Sequence, residues 1–121
     1  MKREMKISVY EVVGSPLCVA SEDGQKVHDR LAAVIGAGHR AILSFHNVST
    51  LTSAFLNAAI GQLYGPFSEE QIRCLLKVEE MAPEDAALLK RVVETAKLYF
   101  KDPQRFEQVV RETLEDEQDG A

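Results

Sequence analysis

The chain has 121 residues, 45% of them apolar and 27% charged, with a net charge of −5 and an isoelectric point near 5.2. This length and apolar content suit one domain, residues 1–121, with its own core and no need of a metal or disulfide to fold. The acidic balance argues against nucleic-acid binding, which needs cations to neutralise phosphates, and no run of about 18 apolar residues crosses a membrane.

Residues 5–13 are rich in β-branched side chains. Ile7, Val9 and Val13 point one way and Ser8 and Tyr10 the other, the pattern of a strand. Gly14-Ser15-Pro16 is turn chemistry, so residues 17–20 predict a short hairpin partner for that strand. Ser21 reads as an N-cap, and Glu22 and Asp23 favour the positive end of a helix dipole. Val27, Leu31, Val34 and Ile35 recur at helical spacing, and Gly36 and Gly38 end the helix.

Residues 41–45 form an apolar run broken only by Ser44, which suits a central strand covered on both faces. A hydroxyl cluster follows, Ser49-Thr50-Leu51-Thr52-Ser53, any member of which can cap the next helix. That helix carries Phe55, Leu56, Ala59, Ile60 and Leu63 as an apolar stripe and stops at Gly65-Pro66. Ile72, Cys74, Leu76 and Val78 alternate with Arg73, Lys77 and Glu79, the pattern of a strand with one wet side. Pro83, Glu84 and Asp85 open a third helix with a broad apolar face. Asp102-Pro103 stops it, and residues 103–121 read as a C-terminal helix and acidic tail. The order is β-β-α-β-α-β-α-α, an α/β class with a mixed sheet of about four strands and helices on one or both faces.

Few side-chain patterns here carry chemistry. His28, His39 and His46 lack the spacing of a helical metal pair, so no metal and no cofactor is expected. The glycines match neither phosphate-loop pattern. Cys18 and Cys74, on predicted strands, read as small apolar residues. With no apolar leader region after Lys2, they suit the reducing cytoplasm. Thr52 and Ser53 read as helix caps, as a regulatory phosphosite, or, with His46 as base, as the centre of a small hydrolase or transferase. Tyr99, Phe100 and Phe106 suit a homodimer contact if they are exposed.

The stretch LSFHNVSTLTSAFLNAAIGQLYG, with weaker echoes in CVASEDG and KRVVETAKLYF, resembles the STAS domain, the fold of anti-sigma-factor antagonists and of sulphate-transporter tails. It is most similar to the STAS-like group of small bacterial proteins. In anti-sigma-factor antagonists the matching loop carries Asp-Ser-Ser-Gly, and a kinase that is also the anti-sigma factor phosphorylates the first serine. Against that pattern Thr52 stands at the Asp, Ser53 at the phosphorylated serine, Ala54 at the second serine and Phe55 at the glycine. Ser53 is kept and the other three are not, and Phe55 should bury its ring. The resemblance implies a non-enzymatic regulatory module, with Ser53 and Thr52 as phosphorylation candidates. Ser49, Thr50, Thr52, Ser53 and Asn57 would meet a histidine-kinase-like ATPase, with neither nucleic acid nor membrane as partner.

Overall fold

The computed structural model describes residues 3–101. The chain opens with β1 (Glu4–Ser8), a short helix α1 (Val9–Val13) and β2 (Leu17–Cys18). Helix α2 (Ser21–Gly36) leads to β3 (Arg40–Ser44), β4 (Thr50–Leu51) and α3 (Ser53–Ala59). A 3₁₀ turn (Gly61–Tyr64), α4 (Glu69–Leu75), β5 (Leu76–Glu79) and α5 (Pro83–Lys101) complete it. The strands make two parallel sheets: β1-β3-β5 with β3 in the centre, and the small pair β2-β4. No helix among the described residues is long and apolar enough to cross a membrane.

The register gives the main sheet two unlike faces. Met5, Ala41 and Leu76 lie abreast, as do Ile7, Leu43 and Val78. Ile7, Ala41 and Leu43 are buried in the core with Leu31, Phe55, Leu56 and Leu63 from the helical layer. Side chains alternate along a strand, so Lys6, Ile42 and Lys77 point the other way. On that side Glu79 pairs with Lys6 at 4.0 Å and with Lys77 at 3.7 Å. Among the described residues helices therefore cover one face, where the sequence led one to expect a central strand covered on both sides. In place of the expected mixed sheet of about four strands, the described residues form a three-stranded and a two-stranded sheet in which every pairing is parallel.

Three local expectations yield to capping and to long-range pairing. The first strand stops at Ser8, whose hydroxyl accepts from the Glu11 amide at 3.2 Å. Gly14, at φ 78°, closes α1 by donating to Tyr10 O. Caps at both ends turn a β-branched stretch into a helical turn. The predicted hairpin does not form, because β2 pairs with β4, Leu17 beside Thr50 and Cys18 beside Leu51. The strand expected from Ile72 begins only at Leu76. Before it, a Ser68–Gln71 capping box starts α4, burying Ile72 and Leu75 and leaving Cys74 exposed. Apolar residues two and three apart serve a helix face as well as a strand, and the cap decides between them.

Helices α2 and α5 lie close to their expected limits, whereas α3, expected to run to Gly65-Pro66, ends at Ala59, and a 3₁₀ turn carries Leu63 of its stripe. Ala20, with no side-chain cap bond, holds the cap position of α2, and Ser21 is its first residue. Gly24 on α2 lets α3 approach: a Cβ there would meet Phe55 O at 2.5 Å and the Ala58 Cβ at 2.9 Å. Pro83 begins α5 with Glu84 and Asp85 in its first turn. Tyr99 and Phe100 are half-buried and stack edge to face at 4.9 Å, and Phe100 lies against Gly65. These two rings are therefore partly engaged within the chain. Phe106 and the expected helix after Asp102 lie outside the described residues.

Candidate functional site

The hydroxyl loop is laced onto the segment around β2. Ser49 donates from its amide to Pro16 O at 2.9 Å and from its hydroxyl to the same oxygen at 3.2 Å. Thr52 donates its hydroxyl to Val19 O at 2.7 Å and accepts the Phe55 amide at 3.2 Å. Thr52 is thus the N-cap of α3 and also a tie between α3 and β2. Phe55 is fully buried, as the bulk at that position led one to expect.

Two hydroxyls of the loop remain, those of Thr50 and Ser53. Both residues are exposed, and neither side chain makes a hydrogen bond among the described residues. Ser53 is the one that faces a groove, an open cavity of about 490 Å³ between α3 and α5. Helix α3 contributes Ser53, Ala54 and Asn57; α5 contributes Leu88, Arg91, Val92 and Thr95. Among the described residues, Arg91 is the only charged one lining the groove, and it makes no ion pair.

A second cleft, of about 290 Å³, opens on the other side of α5. It has an apolar wall of Ile60, Ile72, Leu76 and Leu89 and a charged rim. There Glu69 Oε1 receives Lys97 at 2.7 Å and Arg73 at 2.9 Å. The Lys97 bond and charge hold the Glu69 carboxyl below its usual range, and burial pushes the Tyr64 phenol up. Both cations of this cleft are engaged by one carboxylate, whereas no carboxylate among the described residues lines the Arg91 groove.

His46 is placed elsewhere. Its Nδ1 lies 3.5 Å from Glu80 Oε2, an oxygen that also accepts the buried Ser44 hydroxyl at 3.2 Å. Ser44 Oγ in turn accepts the His46 amide at 3.3 Å. Glu80 and Asn47, which flank this cluster, adopt left-handed φ of 56° and 67°. No hydrogen bond joins His46 to Ser53 among the described residues; His46 faces Glu80 instead. No three His, Cys, Asp or Glu residues group to hold a metal among the described residues.

Sequence reasoning missed Arg91, Thr95 and Glu80. Nothing local marks Arg91, which lies on a different helix and reaches the groove only because α5 packs beside α3. The left-handed Glu80 follows the last strand without a glycine to announce it. Cys18, read as a small apolar residue, is fully buried, and desolvation with the nearby Asp23 charge pushes its thiol up to about 11.

A search of curated proteins and of solved structures finds no match. A family model described as a STAS-like domain of unknown function matches residues 23–86. That span runs from the first turn of α2 to the first turn of α5 and contains the central strand, the hydroxyl loop and α3. With more than half its length matched in this way, the chain belongs to the STAS-like domain family.

Proposed function

We propose that this chain is a non-enzymatic regulatory binding module that presents residues 49–57 to a protein partner. The observation that carries the reading is the state of the loop's hydroxyls. Ser49 and Thr52 hold the loop in place, while Ser53 is exposed and makes no hydrogen bond among the described residues. A phosphoryl group on Thr52 would break its tie to Val19 and the cap of α3, whereas Ser53 accepts one without losing a bond. The partner of this reading is a histidine-kinase-like ATPase that acts as kinase or anti-sigma factor, in a bacterial cytoplasm. Its ATP passes the γ-phosphoryl to Ser53 Oγ, ADP leaves, and the hydroxyl proton goes to a base of the kinase. The added charge of nearly −2 then alters what α3 can touch.

The test is to incubate the chain with such an ATPase, ATP and Mg²⁺, following intact mass and complex formation by gel filtration. The expected result is one phosphate on the wild type, none on Ser53→Ala, and a complex that the phosphate weakens. No phosphate on any loop hydroxyl, together with no complex, would overturn the reading. The enzymatic alternative centred on Ser53 and His46 is not favoured by the pairing of His46 with Glu80.

A further inference from the structure

We propose that Arg91 on α5 receives the phosphoryl group of phosphorylated Ser53, so that the modification closes the α3–α5 groove within one chain. This rests on the reading above that Ser53 is the phosphoacceptor. The groove is built for one oxyanion. Ser53 and Asn57 are four residues apart on α3, and Arg91 and Thr95 are four residues apart on α5, so each pair shares a helix face. All four line the same cavity, with Ala54, Leu88 and the buried Val92 beside them.

The chemistry of that lining is selective. A guanidinium presents a planar fork that matches two phosphate oxygens, and hydrogen bonds between ions are the strong ones. The Thr95 hydroxyl and the Asn57 amide add donors for the remaining oxygens. Among the described residues no acidic side chain lines the groove to compete, in contrast to the second cleft, where Glu69 already holds Arg73 and Lys97. Before modification the described lining of the groove carries one positive charge; afterwards it carries a net charge of about −1. The bond would also link α3 to α5 and cover the face of α3 that a partner needs.

The experiment installs phosphoserine at position 53 during translation, so it needs no kinase. The second ionisation of the phosphate is then followed by ³¹P NMR in the otherwise wild-type chain and in Arg91→Ala, Arg91→Gln, Arg91→Lys and Lys90→Ala. The backbone amides at the start of α3 act equally in all of them, so the difference isolates the side chain. Lys90 is an exposed cation one residue away that does not line the groove. The expected result is an ionisation at least about half a unit lower with Arg91 than with Ala or Gln, roughly threefold in the constant. Arg91→Lys should recover part of the shift and Lys90→Ala should leave it intact. Equal titration with and without Arg91, or an equal change from Lys90→Ala, would overturn the proposal. A shift that depends on Arg91, in a chain that no kinase modifies, would keep the groove assignment and remove the switch. Kinase modification without the shift would do the reverse.

Discussion

The two sides of α3 are built to opposite ends. On one side Phe55, Leu56 and Ala59 are sealed against α2 and the sheet, with Gly24 admitting the α3 backbone at a distance that no Cβ tolerates. On the other, Ser53 and Asn57 face an open groove whose single cation, Arg91, is unpaired among the described residues. The sealed side supplies stability and holds α3 rigidly. The open side leaves Ser53 exposed and without a hydrogen bond among the described residues, and in the proposed reading it is the side that a partner meets.

Removing the centre of the sealed side should have the largest effect. Phe55→Ala is expected to cost about 3–5 kcal/mol, since it deletes a ring with no exposed surface. Chemical denaturation measures the loss, and a cost under about 1 kcal/mol would show that the seam is not tightly packed. Gly24→Ala comes next. Alanine favours a helix by roughly 1 kcal/mol, but the added Cβ meets a backbone oxygen that cannot move aside, so a net loss of about 2 kcal/mol is expected. A rise in Tm for this variant would mean that α2 and α3 slide apart freely.

A smaller effect of sealing appears only in alkali. The Cys18 thiol is pushed up to about 11 from 9.0, so its folded form holds a proton that the unfolded chain releases. Its contribution to stability is complete below pH 9 and is lost as pH rises through about 11. Cys18→Ala should therefore flatten the alkaline fall of Tm relative to the wild type; identical slopes would contradict it. A thiol reagent at neutral pH should modify the exposed Cys74 quickly and leave the buried Cys18 protected.

The smallest pair sharpens the contrast along the loop itself. Thr52→Ala removes a cap and a 2.7 Å bond to Val19 and should cost about 1–2 kcal/mol. Its neighbour Ser53→Ala removes a hydroxyl with no partner among the described residues and should stay within about 0.5 kcal/mol. If Ser53→Ala proved as costly as Thr52→Ala, Ser53 would be a structural residue, and the open side of α3 would lose its special standing.

How much of this was legible depended on how local the cause was. The central strand, the start of α3 near Ser53, its buried stripe and the Pro83 start of α5 were all readable from short patterns. The hairpin was not, because turn residues at Gly14-Ser15-Pro16 say nothing about which strand receives Leu17 and Cys18. The strand expected at Ile72 failed for a readable reason, a Ser-Glu-Glu-Gln capping box just before it. The expected cap at Ser21 moved by one residue, a shift common at helix ends.

By itself, then, the amino-acid order determined helix α2, the starts of α3 and α5, the central strand, the buried stripe that begins at Phe55, and that the loop after the middle strand bears the hydroxyls. These follow from side-chain periodicity and capping, which act over a few residues. Only the tertiary structure decided that β2 pairs with β4, that Thr52 is tied while Ser53 is free of bonds among the described residues, and that Arg91 shares a groove with Ser53. Those outcomes depend on how distant segments pack, and packing is settled by the shape of the whole core.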